Sequence, residues 1–111
     1  RRNTKNQSDY SENQQEIKSD GNVPSKAITV LKYVIEHHEP MDNYVGGRKF
    51  KNLEGLLPKQ TENGQRINYK EWDVNPHIDG KNRGTERLIT GDNRTAYYTN
   101  DHYQSFTKID L

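Results

Sequence analysis

Five charged or titratable side chains in the second half of the sequence could together carry acid–base chemistry on a phosphodiester. Glu71 and Asp73 alternate along one predicted strand. Arg87 begins the next predicted strand, Arg83 lies in the loop just before it, and His102 follows near a strand end. A carboxylate can take the proton of a ribose 2′-hydroxyl, an imidazolium can protonate the departing 5′-oxygen, and guanidinium groups can neutralise the phosphorane between them. A plain cross-strand salt-bridge patch is the competing interpretation, and spacing alone leaves both open.

The hydrophobic pattern predicts the scaffold for these side chains: one helix followed by a run of short strands. Apolar residues recur at helical spacing after Ser25, a candidate N-cap, and Pro40 ends the segment. The predicted buried face of the helix is Ala27, Val30, Leu31, Val34, Ile35 and His38. Short β-branched and aromatic segments cover residues 66–74, 87–90, 95–99 and 105–109. This order predicts an α+β fold, with the N-terminal helix packed on an antiparallel β-sheet.

Alternation along the first long strand assigns its side chains to the two faces of the sheet. Trp72 and Val74 are predicted to pack against the helix. Tyr69, Glu71 and Asp73 then project from the opposite face. The two acids are therefore expected on the side of the sheet away from the helix.

Composition limits the domain organisation and excludes several classes of protein. The chain has 111 residues, 17 Lys and Arg against 16 Asp and Glu, 28% apolar residues and no cysteine. The lack of cysteine excludes disulfides and thiolate metal sites, and no apolar run reaches the roughly 18 residues of a membrane span. Residues 1–24 are polar and are predicted to be a disordered linker or tail, which leaves a domain at 25–111.

Three blocks of the sequence resemble the guanyl-specific microbial ribonucleases, the barnase family. The blocks are FKNLEGLLP at 50–58, RGTERLITG at 83–91 and YYTNDHYQSFTKI at 97–109. The Asp42-Asn43-Tyr44 stretch is also similar, and the resemblance runs from about Ile28 to Ile109. It implies the same fold and an endoribonuclease that cuts single-stranded RNA 3′ of guanosine through a 2′,3′-cyclic phosphate. It implies no metal and no cofactor.

The resemblance also implies the roles of the residues that carry the chemistry. Glu71 falls on the general base and His102 on the general acid. Arg83 and Arg87 fall on the phosphate-binding arginines, and Asp73 on the acid that anchors them.

The resemblance implies a guanine-recognition loop at Phe50, Lys51, Asn52, Leu53 and Glu54. In that loop, Glu54 would accept hydrogen bonds from N1 and N2 of guanine, and backbone N–H groups near Asn52 would donate to O6. Tyr103 would lie against the base or ribose at the edge of the site.

Two features depart from the family pattern. The family has a longer insertion before the recognition loop, with a lysine that aids transition-state binding. This chain lacks the insertion, and Arg48 and Lys49 are the candidates to replace that lysine. Leu53 stands where family members often have Arg before the Glu.

The sequence allows more than one biological role. We expect the C-terminal toxin domain of an exported bacterial protein, secreted or delivered into a target-cell cytoplasm. Its partners would be RNA and a cognate acidic inhibitor, and the catalytic domain would be monomeric. The alternatives are a simple secreted degradative ribonuclease and a non-catalytic RNA- or protein-binding module on the same fold. A metal nuclease is disfavoured because His77 and His102 are isolated from any carboxylate cluster.

Overall fold

The computed structural model describes residues 23–111, so the predicted linker at 1–24 lies almost entirely outside the described residues. Within them, helix α1 spans Ser25–His37 and five strands follow it. The strands are β1 Gly46–Phe50, β2 Tyr69–Asp73, β3 Arg87–Gly91, β4 Ala96–Thr99 and β5 Thr107–Ile109. They form an antiparallel sheet in chain order, with α1 packed on one face. The predicted fold class is confirmed.

Helix α1 is held at both ends by backbone hydrogen bonds. The carbonyl of Pro24 accepts the N–H of Ala27 at 3.0 Å, and no side chain caps the N-terminus. The predicted N-cap, Ser25, is instead the first residue of the helix. At the other end, His38 has a left-handed φ of 60° and donates its N–H to the carbonyl of Val34 at 2.8 Å. This turn ends the helix.

The buried face of α1 is narrower than the sequence predicts. Ile35 is 45% exposed because it lies at the edge of the apolar stripe, and His38 is exposed because it follows the last helical residue. Both assignments to the core were wrong. The buried residues of the helix are Ala27, Val30, Leu31 and Val34.

The sheet separates two apolar clusters. On one face, Trp72 and Val74 pack with the helix, as predicted. On the other face, Ile67 and Tyr69 of the β2 region pack with Ile89 of β3 and further aromatic residues. This second cluster forms the floor beneath the predicted site.

Strand β1 is absent from the sequence prediction, which treated its residues as a connection. Gly46 lies against Trp72, where an added Cβ would come within 2.9 Å of the Trp72 Cα. Gly47 has a left-handed φ of 88°, and the register shifts between Gly46 and Arg48. Two glycines at a bulge give a strand little sequence signal, because glycine has low β propensity.

Three other strands begin later than predicted, β4 by one residue and β2 and β5 by more. β2 begins at Tyr69, and Arg66 instead forms an isolated bridge with Gln60. β5 begins at Thr107, because Ser105 is occupied by hydrogen bonds to Asp101. No helix in the described part of the chain is both long enough and apolar enough to cross a membrane.

Candidate active site

Glu71 projects from the face of the sheet that is turned away from helix α1. Residues opposite one another on paired strands share a face, and Glu71 lies opposite Arg48 of β1 and Ile89 of β3. Ile89 belongs to the second apolar cluster, whereas the next residue of β2, Trp72, belongs to the helix side. The Glu71 side chain is 22% exposed, so its carboxylate stays accessible from outside.

Two residues further along the same face, the carboxylate of Asp73 lies between two arginines. Its Oδ2 accepts a hydrogen bond from Nη1 of Arg83 at 3.0 Å, and its Oδ1 is 3.1 Å from Nε of Arg87. The Asp73 side chain is only 2% exposed, so the two guanidinium groups replace the water that would otherwise solvate it. One negative charge between two positive charges leaves this face net positive.

The two arginines differ in how firmly they are held. Arg87 is buried, and its Nη1 donates to the carbonyls of Glu86 at 2.7 Å and Gly84 at 3.2 Å. Arg83 comes from the loop before β3 and its side chain is 30% exposed. Arg87 is therefore a fixed charge, whereas Arg83 has a free side toward the solvent.

Tyr103 connects the acid of β2 to the last loop of the chain. Its hydroxyl donates to Oε1 of Glu71 at 2.7 Å. Burial, the hydrogen bond to Glu71 and the negative charge of that carboxylate raise the pKa of Tyr103, while the charge of Arg87 opposes this shift. The phenol therefore keeps its proton and remains a donor to Glu71.

His102 lies in the β4–β5 loop, beside Tyr103. Its N–H donates to the carbonyl of Thr85 at 3.0 Å, and the N–H of Tyr103 donates to Oγ1 of Thr99 at 3.1 Å. Both residues have a left-handed φ, 56° for His102 and 77° for Tyr103. The two rings are 4.8 Å apart between centroids. His102 and Glu71 therefore lie on the same side of the molecule, because each of them lies next to Tyr103.

Asp101 holds this loop in its unusual backbone conformation. Its Oδ1 accepts from Oγ1 of Thr99 at 2.8 Å, from the N–H of Gln104 at 3.1 Å and from the N–H of Ser105 at 3.0 Å. Its Oδ2 accepts from the Ser105 hydroxyl at 2.6 Å. These hydrogen bonds, that of the Ser105 hydroxyl foremost, lower the pKa of Asp101 to about 2. The carboxylate stays ionised and keeps the loop closed.

The predicted recognition loop is folded on the side chain of Asn52. This buried residue has a left-handed φ of 54°, and its amide exchanges two hydrogen bonds with the backbone of Leu57, at 2.8 and 3.2 Å. The backbone carbonyl of Asn52 also accepts a hydrogen bond from the N–H of Gly55 at 3.0 Å. Among residues 23–111, the backbone N–H groups of Leu53 and Glu54 have no partner. The loop therefore presents free donors from a rigid frame.

A cleft of about 310 Å³ lies between this loop and the His102 loop. Phe50 and Tyr103 stack at one side of it, with ring centroids 5.1 Å apart. Glu54 is exposed and lines the cleft together with His102. The cleft thus combines an aromatic wall with an acid and an imidazole, which suits a flat, polar base.

The two candidate replacement cations, Arg48 and Lys49, lie on opposite faces of β1. Arg48 lies across from Glu71, and its Nη2 is 3.8 Å from Oε1 of Glu71. Lys49 lies across from Lys70, on the other face. Only Arg48 of the two is therefore brought to the acid. Leu53 is 82% exposed at the tip of the recognition loop.

Sequence reasoning missed the residues that position the loop of His102. The sequence predicts no role for Asp101, Thr99 or Thr85. A signal for Asp101 was present, since an aspartate in a loop, with Thr two residues before it and Ser four residues after it, is typical of side-chain-to-backbone capping. The described residues 23–111 contain no group of three or more His, Cys, Asp or Glu that could hold a metal ion.

We predict that Asp101→Asn weakens the protein and removes part of its acid sensitivity. A lowered carboxyl pKa stabilises the folded state above the ordinary pKa of about 4, and the contribution is lost as the pH falls toward about 2. Urea unfolding of wild type and variant at several pH values between about 2 and 5 measures how the free energy of unfolding depends on pH. The free energy of unfolding should fall more steeply in the wild type across this window. An exposed carboxylate near the chain end, changed by Asp110→Asn, is the control. Equal pH dependence in wild type and Asp101→Asn would contradict the assignment.

The family model and the relatives that match this chain are all ribonucleases. A model of the family described as ribonuclease matches residues 4–110. The chain is 37% identical over 73 residues to guanyl-specific ribonuclease St of Saccharopolyspora erythraea, covering 66% of this chain and 67% of that protein. It is 36% identical over 91 residues to guanyl-specific ribonuclease Sa3 of Kitasatospora aureofaciens, covering 80% of this chain and 60% of that protein.

The fold gives the same result. A crystal structure of ribonuclease Sa2 with guanosine-2′-cyclophosphate superposes with a TM-score of 0.55 at 32% identity, covering 80% of this chain and 88% of that chain. The helix, the five-stranded sheet and the sequence blocks around the cleft are thus those of one family. The chain belongs to the microbial ribonuclease family that includes these guanyl-specific proteins.

Proposed function

We propose that this chain is a metal-independent endoribonuclease that cleaves single-stranded RNA 3′ of guanosine and forms a 2′,3′-cyclic phosphate. The observation that carries this proposal is the Asp73 carboxylate, which clamps Arg83 and Arg87 on the face from which Glu71 projects. The guanyl-specific names of its relatives and the guanosine-2′-cyclophosphate in the ribonuclease Sa2 structure support it. We assign this activity to a domain at 25–111.

In the first step, Glu71 removes the proton of the ribose 2′-hydroxyl, and the 2′-oxygen attacks phosphorus. The bond to the 5′-oxygen breaks, and His102 donates its proton to that leaving group. In the second step His102 takes a proton from water and the water oxygen bonds to phosphorus. The bond between phosphorus and the 2′-oxygen breaks, and Glu71 returns its proton to that leaving 2′-oxygen. Each group thus ends the cycle in its starting protonation state.

The contacts of Glu71 favour one oxygen as the base. Oε1 is the acceptor for the Tyr103 hydroxyl and the neighbour of Arg48, whereas Oε2 has no partner among residues 23–111. We assign proton removal to Oε2. Tyr103 would hold the carboxylate in place and leave this oxygen free to face the ribose, because a phenol of raised pKa does not give up its own proton.

The arginine pair would bind the scissile phosphate and stabilise the phosphorane. Asp73 occupies one edge of each guanidinium group, which fixes both groups before substrate arrives. Donors that are already oriented lower the barrier without reorganisation at the moment of reaction. The phosphate would lie on the free side of Arg83 and beside the fixed charge of Arg87.

Guanine selection is assigned to the recognition loop. The free N–H groups at Leu53 and Glu54 would donate to O6, and the Glu54 carboxylate would accept from N1 and N2. Guanine alone among the RNA bases offers that pair of donors beside a carbonyl. Phe50 and Tyr103 supply the aromatic surface at the edge of the base.

We predict that purified chain converts guanosine-containing dinucleotides to the cyclic phosphate faster than adenosine ones, with or without a chelator. Glu71→Ala and His102→Ala should each lower kcat/KM by about 10²–10⁴-fold, because each removes a proton-transfer group. Chromatography of the products and far-UV circular dichroism of the variants measure activity and fold.

Each possible result of this assay has a defined meaning. No cyclic phosphate from the folded wild type would leave a non-catalytic binding module. Activity abolished by chelator would indicate a metal nuclease.

Glu54→Gln should reduce the ratio of guanosine to adenosine cleavage, and an unchanged ratio would refute the recognition role of Glu54.

We propose that Arg48, not Lys49, takes the place of the missing family lysine, because Arg48 lies beside Glu71. Arg48→Gln should lower kcat on a guanosine dinucleotide by about tenfold, the loss of one charged contact in the transition state. Lys49→Gln, one residue away on the opposite face, is the matched control and should leave kcat unchanged. Equal effects of the two substitutions would refute the assignment.

We further propose that the domain is the C-terminal toxin domain of an exported bacterial protein, delivered into target cells and held inactive by an acidic inhibitor. The two arginines that share the single carboxylate of Asp73 leave one positive charge uncompensated, and this supports an acidic partner, since complementary charge speeds association and masks the site. An acidic protein encoded beside this gene should inhibit the purified chain. A locus with no such gene and no upstream export region would favour the alternative, a simple secreted ribonuclease.

A further inference from the structure

A second groove, of about 420 Å³, lies on the far side of the recognition loop from the active-site cleft. One of its walls is the segment from Lys49 to Leu53, and the opposite wall is formed by residues between Lys59 and Tyr69. Phe50, Lys51, Asn52 and Leu53 line both the groove and the cleft. The two spaces are therefore separated only by the thickness of this loop.

The groove is lined by four cations and by no acidic residue. Lys49, Lys51, Lys59 and Arg66 all line it, and all four are exposed. Within residues 23–111 none of the four is within 4.0 Å of a carboxylate, although other cations of the chain form such pairs. We call these four residues and the space between them the basic groove. The chain as a whole has a net charge of only +1, so this is a local concentration of positive charge.

Part of this positive charge destabilises the protein when no ligand is bound. Lys49 lies directly across from Lys70 in the β1–β2 pairing, and like charges at opposed positions destabilise a sheet. The groove also adjoins the exposed edge of β1. A bound polyanion would relieve this repulsion, because it supplies the negative charges that the protein does not place there.

RNA fits this groove better than an acidic protein does, because of where the groove lies. A strand whose guanosine is held by the recognition loop can reach the groove by crossing that loop, because Phe50, Lys51, Asn52 and Leu53 line both spaces. Single-stranded RNA carries one negative charge per nucleotide, in a flexible backbone that can follow a curved basic surface. An acidic protein covering the active cleft would have no corresponding reason to pass behind the loop.

We propose that the basic groove binds the phosphodiester backbone of the substrate strand beyond the nucleotides at the cleavage site. This inference rests on the proposed function, since the strand it describes is the one being cut. The groove adds affinity for long RNA without reading its sequence, because lysine and arginine contacts to phosphates carry no base information. It makes the enzyme prefer polymeric RNA over dinucleotides.

The experiment compares substrates of two lengths in one double variant. Lys59→Gln with Arg66→Gln removes two charges on the wall away from the recognition loop, and neither residue is part of the proposed catalytic or base-binding set. The control is Lys32→Gln with Lys108→Gln, which removes two exposed charges from α1 and from β5, the sheet edge opposite β1. Each protein is assayed on a guanosine dinucleotide and on single-guanosine decamers with the extension on the 5′ or the 3′ side.

We expect the groove variant to cleave the dinucleotide like wild type and to lose efficiency on one of the decamers through a higher KM. Each single-strand phosphate contact contributes a slope of about 0.7 in log affinity against log salt. Loss of two contacts should lower that slope by about 1.4. The ratio of the decamer affinity of the wild type to that of the groove variant should therefore fall about sevenfold between about 50 and 200 mM salt. The control variant should behave like wild type on all substrates.

Binding of a decamer with 2′-deoxyguanosine, followed by fluorescence anisotropy, separates this inference from the proposed function, since that decamer lacks the attacking hydroxyl. Weaker binding by the groove variant supports the groove even if no RNA is cleaved. Equal decamer binding, or equal loss on dinucleotide and decamers, would overturn it. An acidic inhibitor that loses affinity for the groove variant, while the decamers do not, would make the groove a protein interface and likewise overturn it.

Discussion

The site depends on one interaction, the pairing of the buried Asp73 carboxylate with Arg83 and Arg87. Asp73 and Arg87 are direct partners in the β2–β3 pairing, so the register of the sheet sets the distance between them. That register is in turn fixed by Trp72 and Leu88, whose burial on the helix side determines which residues face the cleft. A slip of one residue would turn the acid and the arginine toward the helix. Packing on one face therefore positions chemistry on the other.

Both loops of the site contain residues of left-handed φ, and each loop is held in place by a side chain that binds nearby backbone groups. Asn52 does this for the recognition loop, and Asp101 does it for the loop of His102. Left-handed conformations cost an ordinary residue about 1–3 kcal/mol, and they persist only where the surroundings impose them. Each loop thus contains its own polar anchor. The cleft is shaped before any ligand enters, which is the condition for efficient electrostatic stabilisation.

The sequence predicts the parts of this structure that arise from periodicity, and it misses the parts that arise from single contacts. The α1 stripe and the inward-facing Trp72 follow from helical and strand spacing, so the fold class could be predicted. Strand β1 could not, because Gly46 is required by its contact with Trp72, and that contact exists only once the strands pair. The opposed faces of Arg48 and Lys49 follow from the same pairing. The roles proposed for the chemical residues rest largely on family resemblance, since spacing alone also fits a salt-bridge patch.

Strand β1 divides positive charge between two surfaces. Because its side chains alternate, Arg48 lies on the face of the sheet that carries Glu71, while Lys49 and its opposite neighbour, Lys70, lie on the other face. The recognition loop follows directly and carries Lys51 along the wall common to the cleft and the groove. The active face keeps its cations in contact with Glu71 and Asp73, which fixes them for chemistry. The groove leaves its cations unpaired, which suits mobile contacts to a backbone whose sequence is not read. Under the proposed function, the paired cations on one side of the loop serve catalysis, and the unpaired cations on the other side bind the RNA backbone.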